Sequence, residues 1–427
     1  MKTKLSLAVA AVLCVTSVSA MQFQTLGYKS VAMGGAGVAS SAGSTATYNN
    51  PALLAKTPYD VEISLGAGAS VYDHGAGASF KALDDSGFID TVNKISNDTA
   101  SLTTADQTNL VSGKNIVLAM NGNAIEISPQ GYFSVQVENF GIGVFASSDI
   151  VGTAVVDQAH NKLIFENSAS PGTYYELNDD GTQAVSNATA YTSTSIEYAV
   201  NNGLTYVQAT GVVLAEVPIA YGHKFELSAG NLMLGGAAKY MQATTYSEKL
   251  QIDNSGSLNS SEKKDKTTSN FGIDIGIAYE PYFSNDLTLA IVGKNLNSPD
   301  FEFADGSTYS VEPMVRVGVA YNIFESLEFA ADMDLTQNKT FVSGVDSQMV
   351  GGGLNWHPAS WFALRGGAMQ NLDNDDKAGL IYTAGVGFGP KWFQLDLSAQ
   401  LSPETTSVNG TDFPQYAKVN LALISRW

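Results

Sequence analysis

The chain has little cysteine, little charge and, after its first twenty residues, no long apolar run. Its one cysteine, Cys14, lies in a segment that we predict to be removed on export, so thiol chemistry and cysteine metal sites are excluded from the mature chain. Only 15% of the residues are charged, whereas a soluble domain has about 25%. A chain of this size therefore has too few charges for a surface covered by water.

Positive charge is scarcer than negative charge, with 22 Lys and Arg residues against 41 Asp and Glu residues. The resulting negative field repels phosphate backbones, which excludes nucleic acid as a partner. The best candidate for a membrane helix, residues 211–220, contains Glu216 and is much shorter than the roughly 20 residues that a span needs. Helical membrane spans are therefore excluded.

The first twenty residues have the three parts of a secretory signal. Lys2 and Lys4 supply positive charge, residues 5–15 are apolar, and residues 18–20 are small, as a cleavage site requires. We predict Sec-type export and a mature chain of 407 residues (427 − 20) with a formal charge of −21, because two lysines are lost (−19 − 2). An exported chain of this kind is either a periplasmic or secreted β protein or an outer-membrane barrel.

The second half of the chain alternates apolar and polar residues with a period of two. In residues 326–335 every second side chain is apolar, and Glu328, Asp332 and Asp334 share the opposite face. The connections also alternate, between tight links at 138–139, 324–325, 357–360 and 389–391 and longer stretches at 157–195, 253–268, 295–309, 337–346 and 401–412. Short periplasmic turns and longer external loops are typical of outer-membrane barrels, whereas a sandwich has no reason for such alternation.

The fold class predicted from this pattern is all-β, a transmembrane antiparallel barrel of about fourteen strands spanning residues 58–427. The even strand number places both mature termini on the periplasmic side. Residues 84–115 have apolar residues at helical spacing and are predicted to form short helices in an external loop. Residues 116–127 are either another strand or the approach to one. The predicted strands are 60–72, 130–138, 140–156, 204–224, 231–252, 270–281, 286–295, 310–323, 326–335, 347–357, 361–370, 378–388, 392–401 and 415–427.

Residues 21–57 precede the first strand and are rich in small side chains. Asn50 can cap a short helix that begins at Pro51, where no amide hydrogen is needed. A glycine-rich phosphate loop is the alternative, but no Gly-Lys-Ser/Thr follows. Since a fourteen-stranded barrel encloses more space than its inward side chains fill, we predict that this segment is a hatch inside the lumen.

This segment contains two short motifs, M-G-G-A-G-V-A at 33–39 and N-P-A at 50–52. With these motifs and about fourteen predicted strands, the chain resembles the FadL-type long-chain fatty-acid transporter superfamily. Within this superfamily, the sequences of the two motifs are most similar to those of the exported barrel proteins labelled conjugal transfer protein TraF. The resemblance implies a hatch that fills the lumen, hydrophobic molecules that enter from outside, and a change in the hatch that helps to release them. The hatch and gating residues that it suggests are Asn50, Pro51, Ala52, Gly34, Gly35 and Gly37.

Charged residues on the polar faces of the strands are predicted to line the lumen. They either hold hatch and barrel together or act as a gate for cargo. Counting outward from the turn at 324–325 places Arg316 nearly opposite Asp332, so we expect these two to pair. The predicted lumen charges are Lys239, Lys294, Arg316, Glu328, Asp332, Asp334 and Arg365.

The last strand is expected to close the barrel against residues 60–72, because an open edge in lipid leaves backbone groups unsatisfied. Trp427 is the predicted assembly signal for the barrel-assembly machinery. Other chemistry is weak: the histidines are scattered, no HExxH or Gly-x-Ser-x-Gly motif occurs, and the acidic stretches 178–181 and 373–376 do not complete a calcium loop. We therefore expect no enzymatic activity, no metal and no cofactor.

Two functional hypotheses follow. Both place the protein in the outer membrane of a Gram-negative bacterium, where lipids and lipopolysaccharide surround it. The first is a FadL-like channel for the passive uptake of small hydrophobic molecules. The alternative is a non-transporting TraF-type envelope protein that supports conjugal transfer, secretion or assembly through envelope or conjugation partners. A soluble periplasmic β protein is the third reading, and it fails if the protein fractionates with outer membranes.

Overall fold

The computed structural model describes residues 18–19, 22–95, 102–167, 170–252, 258–284, 286–373, 378–408 and 411–427. Within them, fourteen antiparallel strands form a closed barrel, in which each strand pairs with its neighbours in the chain and the last pairs with the first. The predicted fold class is confirmed. The strands are β1 (Val61–His74), β2 (Ala124–Val137), β3 (Phe140–Val155), β4 (Tyr206–Leu227), β5 (Gly230–Ile252), β6 (Leu258–Pro281), β7 (Leu287–Lys294), β8 (Met314–Phe324), β9 (Leu327–Asp334), β10 (Met349–Ala359), β11 (Phe362–Asn371), β12 (Leu380–Phe388), β13 (Gln394–Leu401) and β14 (Tyr416–Arg426).

The strands place apolar side chains outside and polar side chains inside. On β14, Val419 is 57% exposed and Leu421 is 49% exposed, whereas Lys418 and Asn420 are buried against the interior. This is the reverse of a water-soluble protein and is the pattern of a barrel whose outer face contacts lipid. Among the described residues, no helix is both long and apolar enough to cross a membrane.

Barrel closure joins β14 to β1 in antiparallel register, from Tyr72 opposite Tyr416 to Glu62 opposite Arg426. The carbonyl oxygen of the terminal Trp427 also accepts hydrogen bonds from backbone N–H groups at the start of β1. The expected pairing of the last strand with the first is therefore confirmed. Its role as an assembly signal remains a prediction.

Short turns lie at one end of the barrel, together with Val61 and the chain terminus, and long connections lie at the other end. By the rule for outer-membrane barrels, the first end is periplasmic and the second is external. Beyond the external end lie the helices α3 (Ala76–Asp85), α4 (Phe88–Ile95), α5 (Thr104–Ala119), α6 (Ala188–Thr194) and α7 (Ile196–Asn201), and a sheet of Leu163–Glu166, Tyr174–Leu177 and Gln183–Ser186.

These helices and this sheet form an external subdomain with its own apolar core, to which Phe88, Leu110, Val117, Leu163 and Phe165 contribute. Residues 116–119, which the sequence left open, end α5, and β2 begins at Ala124. Shorter strand pairs complete the external connections: Asp300–Glu302 with Thr308–Ser310, Asn338–Lys339 with Asp346–Ser347, and Thr405–Val408 with Thr411–Pro414. Of the predicted signal, only Val18–Ser19 is described, and it runs parallel to Thr308–Ser310.

The prediction of a loop over residues 253–268 is wrong for residues 258–268, and residues 253–257 lie outside the described residues. β6 begins at Leu258 and pairs with β5 far beyond the apolar band. Lys263 lies opposite Glu248 across this pair, and such a pair of opposite charges stabilises a ladder. Because water surrounds both faces here, no apolar alternation marks the strand in the sequence.

Residues 22–57, the hatch, lie inside the barrel, as predicted. The hatch contains α1 (Tyr28–Ala32), α2 (Ala46–Asn49) and two short 3-10 helices, Gly43–Thr45 and Pro51–Lys56. Most of its side chains are fully buried, polar ones included. The core of this membrane barrel is therefore the interface between the hatch and the inner face of the strands.

Candidate functional site

The hatch runs the length of the lumen, from the external to the periplasmic end. Near its start, the side-chain amide of Gln22 donates to Glu126 at the external end of β2, at 2.9 Å. Near its end, the Lys56 ammonium lies 2.5 Å from Glu280 at the periplasmic end of β6. Between these points the hatch contacts the barrel wall along its length, and two of these contacts involve the predicted hatch residues.

The first contact is the first turn of the hatch, residues 33–38. Gly34 and Gly35 have φ angles of 64° and 82°, in the left-handed region that favours glycine. A Cβ on Gly34 would lie 2.6 Å from the backbone nitrogen of Gly352 on β10, so no larger residue fits. The inward-facing residues here are also glycines, Gly351 and Gly353 on β10 and Gly367 on β11, which we name the glycine wall.

Hydrogen bonds to barrel side chains hold this turn. The backbone N–H groups of Gly37 and Val38 donate to Oδ2 of Asp332, at 2.7 and 2.9 Å, and we name this contact the Asp332 latch. The N–H of Gly34 donates to the hydroxyl of Thr383 at 2.9 Å. The other Asp332 oxygen, Oδ1, is buried and has no hydrogen-bond partner among the described residues.

The second contact, residues 50–54, includes the predicted cap. Oδ1 of Asn50 accepts the N–H of Ala52 at 3.0 Å, and Pro51 is the first residue of the helix. The Asn50 amide also donates to the carbonyl of Val38 at 2.9 Å, which links the two contacts. Leu53 and Leu54 are fully buried and pack in an apolar cluster with Ala220, Met233, Ala237 and Ala278 of the wall.

Glycines on three neighbouring strands make room for this second contact. A Cβ on Gly235 of β5 would lie 2.5 Å from the carbonyl oxygen of Pro51, and one on Gly222 of β4 would lie 2.6 Å from it. A Cβ on Gly276 of β6 would overlap Oδ1 of Asn50. We name these three residues the glycine cradle. Neither glycine cluster was predicted from the sequence; a glycine within a strand can mark close backbone approach, but it does not show which face of the strand is approached.

All seven predicted lumen charges lie inside the barrel. Lys239 lies 2.5 Å from Glu216 and 3.1 Å from Asp274, and the three side chains are almost completely buried. Nη1 of Arg365 donates to both carboxylate oxygens of Asp396, at 2.7 and 2.8 Å, and Nε donates to Oδ1 of Asn355 at 3.1 Å. The partners Glu216, Asp274 and Asp396 were not among the predicted site residues, although they occupy inward positions of the same alternation.

The expected pairing of Arg316 with Asp332 is wrong. Arg316 lies opposite Asp334 and binds it with two hydrogen bonds, of 2.6 and 2.9 Å. Phe324 pairs with Leu327, so the turn is at 325–326, and the register shifts between Asn322 and Phe324. A count outward from 324–325 therefore places Arg316 between the two aspartates and misses the true partner. Asp332 contacts the hatch instead.

Other cations contact the hatch directly. The ammonium of Lys294 lies 3.1 Å from the ring centroid of Tyr48, and the guanidinium carbon of Arg316 lies 3.8 Å from that of Phe23. Both are cation–π contacts between the wall and the hatch. Lys29 of α1 lies 2.6 Å from Glu328. Burial lowers the pKa of Lys29, although Glu328 acts in the opposite direction, so this pair positions the hatch at an electrostatic cost.

Two cavities border the first part of the hatch. The outer cavity, of about 80 Å³, is lined by apolar and aromatic residues such as Tyr72, Ile381 and Tyr416 and by a larger number of polar residues that include His74 and Glu126. The inner cavity, of about 10 Å³, lies beside Gly34, Gly35, Arg316 and Asp332. Thr25, Met349 and Met369 line both cavities.

Within the described residues, no group of three or more His, Cys, Asp or Glu side chains is placed to hold a metal ion. In the turn at 178–181, Asp179 pairs with Lys114 and Asp180 accepts from Thr182. The other acidic stretch, 373–376, lies outside the described residues except for Asp373.

Transporters and channels are among the solved structures that are similar to this chain. The Pseudomonas putida toluene transporter TodX is 14% identical, covers 96% of this chain and 99% of its own, and has a TM-score of 0.50. A TodX deltaS2S3 mutant, a monoaromatic hydrocarbon channel, is 11% identical over 94% of this chain and 99% of its own, with a TM-score of 0.51. A Pseudomonas aeruginosa FadL homologue is 10% identical, covers 95% of this chain and 98% of its own, and has a TM-score of 0.48.

At such low identity, the TodX comparisons establish the fold alone. No curated protein matches the sequence. The family described as "F plasmid transfer operon, TraF, protein" matches residues 47–334, which is well over half of the 427 residues and runs from α2 of the hatch to the end of β9. The resemblance noted from the hatch phrases is thereby confirmed, and the chain belongs to this TraF family.

Proposed function

We propose that this protein is a FadL-like outer-membrane channel for the passive uptake of small hydrophobic molecules, closed at rest by its hatch. The observation that carries the proposal is the outer cavity, which lies at the external end of the lumen between the hatch and the wall. Seven of its eighteen lining residues are aromatic or aliphatic and the others are polar, so the cavity offers a small organic ligand both apolar contacts and hydrogen-bonding partners. The fold shared with a toluene transporter supports the proposal.

A plugged barrel suits hydrophobic cargo better than water-soluble cargo. The hatch fills the lumen and is bonded to the wall along its length, so ions and sugars meet no open aqueous pore. A hydrophobic molecule gains free energy by leaving water for contact with the apolar residues of the outer cavity, at roughly 25 cal/mol per Å² of apolar surface. Uptake then follows the concentration gradient after a change in the hatch.

The six predicted hatch residues have a common role in this proposal. Gly34, Gly35 and Gly37 shape the first turn, and Asn50, Pro51 and Ala52 shape the second contact. Together they define the closed position from which gating starts. The lumen charges hold hatch and wall together, and we assign the outer face to membrane lipid, the external loops to lipopolysaccharide, and Trp427 to recognition by the barrel-assembly machinery after Sec-type export.

Uptake of labelled fatty acids and aromatic hydrocarbons by cells that produce the protein tests the proposal. Ile381→Trp should fill the outer cavity and lower uptake several-fold at an unchanged amount of folded barrel, because Ile381 is 3% exposed and faces inward. Leu380→Trp is the matched control, since Leu380 is the adjacent residue and faces lipid. Uptake by the wild type no greater than that of cells without the protein would refute the channel.

The second candidate function is a non-transporting TraF-type envelope protein that supports conjugal transfer, secretion or assembly. Two observations favour it: the family match and the external subdomain, whose separate apolar core a channel for small molecules does not need. Mating assays test it. Deletion of the gene should lower transfer frequency at least ten-fold, and a protein that lacks the subdomain but retains the barrel should fail to restore it, whereas Ile381→Trp should restore it fully.

A further inference from the structure

The sheet of the external subdomain has two edges that differ in what covers them. Leu163–Glu166 forms one edge, Tyr174–Leu177 is the middle strand, and Gln183–Ser186 forms the other edge, which we name the 183–186 edge. At each edge, N–H and C=O groups point away from the neighbouring strand, and proteins usually cover or blunt such groups. A bare edge is therefore a surface to which another strand can pair.

The start of α7 covers the edge at Leu163–Glu166. The hydroxyl group of Ser195 donates to the carbonyl oxygen of Ile164 at 2.6 Å. The N–H of Glu166 donates to the side chain of Glu197 at 3.0 Å. Outward backbone groups of this strand thus have partners within the subdomain, so the protein itself closes this edge.

The 183–186 edge has no such cover in the described part of the subdomain. In an antiparallel pair, alternate residues exchange ladder hydrogen bonds, and the residues between them point their N–H and C=O groups away from the partner strand. The N–H of Asn178 donates to the carbonyl oxygen of Thr182 at 2.9 Å. Continuing this alternation leaves the backbone groups of Gln183 and Val185 pointing outward, and no described residue forms a hydrogen bond with them on that side.

The residues of this edge do not prevent pairing. The edge contains no charged residue and no proline, which commonly blunt an exposed strand. Val185 is 95% exposed, more than any other large hydrophobic side chain in the described residues. It lies opposite Tyr175, whose ring stacks on that of Phe165 in the core of the subdomain, with 5.5 Å between the centroids. Val185 therefore extends this row of side chains to a position where a further strand would bury it.

A groove near this edge has room for side chains of an added strand. It has a volume of about 390 Å³ and lies between α5 and the turn at 179–181, which leads into the 183–186 edge. Gln107, Val111 and Asn115 line it at intervals of four residues along one face of α5. The side-chain amides of Gln107 and Asn115 have no hydrogen-bond partner among the described residues, so they are available to an occupant.

The charges around the groove favour a positively charged occupant. Asp179 pairs with Lys114, whereas Asp180 accepts hydrogen bonds from Thr182 and has no cationic partner within the described ranges. The whole chain has a formal net charge of −19. A second copy of the chain is therefore repelled, and a positively charged segment is attracted.

We propose that the 183–186 edge docks an extended, positively charged segment of another protein, which adds to the sheet as its fourth strand and places side chains over α5. An extended backbone offers donors and acceptors at the spacing that a strand edge requires, which identifies the occupant as a polypeptide. The main-chain bonds supply affinity, and the groove supplies specificity. The docking site lies outside the barrel, so this inference does not depend on the proposed channel.

Peptide binding to the full-length protein in detergent tests the docking site. A short peptide of alternating valine and lysine should bind saturably, and a peptide of alternating valine and glutamate should bind at least ten-fold more weakly. The valine–lysine peptide with all backbone nitrogens methylated cannot donate to the edge and should also bind at least ten-fold more weakly. Absence of saturable binding by the valine–lysine peptide would overturn the proposal. Equal binding of the methylated peptide would overturn strand addition, and equal binding of the glutamate peptide would overturn the preference for positive charge.

Substitutions at Val185 test the role of the edge itself. Val185→Pro removes one outward N–H but no ladder bond to the middle strand, so the subdomain should fold and bind the valine–lysine peptide at least ten-fold more weakly. Val185→Thr keeps the N–H and the branched side chain and should bind within three-fold of the wild type. Equal binding by the proline variant would refute docking at this edge. A wild-type dimer in analytical ultracentrifugation that Val185→Pro dissociates would show instead that a second copy occupies the edge.

A substitution in the groove tests the site in case the proline variant does not fold. Gln107→Lys places a positive charge in the groove and should weaken binding of the valine–lysine peptide at least five-fold. Ala105→Lys adds the same charge to an exposed position of α5 outside the groove lining and should leave binding within two-fold. Equal binding by the two variants would contradict the placement of the peptide side chains over α5.

Discussion

Replacing Gly235 by alanine should displace the hatch without unfolding the barrel. The new Cβ would lie 2.5 Å from the carbonyl oxygen of Pro51, at least 0.9 Å closer than the ordinary minimum of 3.4 Å (3.4 − 2.5), and it would also overlap the nitrogen of Ala52. Gly235 is paired on both sides, with Gly222 and Gly276, so the strand cannot move aside. The hatch must give way instead.

Overpacking of this kind costs about 1–3 kcal/mol, which corresponds to a roughly 5- to 150-fold larger population with the hatch displaced. Influx of bulky antibiotics should rise accordingly, and the minimum inhibitory concentration should fall in cells that produce Gly235→Ala. The fraction of heat-modifiable barrel in outer membranes should stay unchanged, because the ladder hydrogen bonds of β5 are preserved.

Gly236→Ala is the matched control. It removes a glycine from the next position of the same strand, but its Cβ would face outward, with the nearest heavy atom at 3.8 Å. The intrinsic effect of alanine on strand stability is thus the same in both variants, and only the contact with the hatch differs. Equal antibiotic sensitivity of the two variants, at equal barrel levels, would refute the docking of Pro51 and Ala52 in the glycine cradle.

Other predictions address the remaining parts of the barrel. Deleting residues 27–56 should leave a folded barrel with raised antibiotic permeability, and a wild-type level of resistance would place the hatch outside the lumen. Arg316→Asp should lower the free energy of unfolding by about 3–5 kcal/mol, and adding Asp334→Arg should recover much of this loss, whereas additive effects in denaturant titrations would contradict the pair. Removing Trp427 should lower the heat-modifiable fraction, and an unchanged folding yield would rule out its role in assembly. Burial raises the pKa of Glu197 in the external subdomain to about 7 from 4.5, so its contribution to stability is complete below about pH 4.5 and is lost as the pH rises through about 7. Proteolysis of the subdomain should therefore be faster at pH 8 than at pH 5, and Glu197→Gln should reduce this difference.

The amino-acid sequence determined the strands, because a strand between lipid and a polar lumen must alternate with a period of two. This rule located β7 to β14 to within a few residues of their observed ends. The rule failed where its physical cause is absent. Residues 258–268 continue β6 in water, where both faces are polar and the pattern vanishes.

The sequence also indicated the hatch and its cap, because the preference of Asn for a helix N-terminus and of Pro for the first helical position is local. It did not reveal which carboxylate receives the hatch. Asp332 and Asp334 lie on the same face two residues apart. The observed strand register, which differs by one residue from the register counted outward from 324–325, places Arg316 opposite Asp334 and leaves Asp332 to the latch.

The glycines show most clearly what the sequence determined and what only the tertiary structure decided. Their number is visible in the sequence, but a glycine on a strand has no side chain whose polarity could tell inside from outside. Only the tertiary structure brings Gly222, Gly235 and Gly276 together from three strands and sets Asn50, Pro51 and Ala52 against them. Packing of backbone against backbone depends on positions in space, which no local preference encodes.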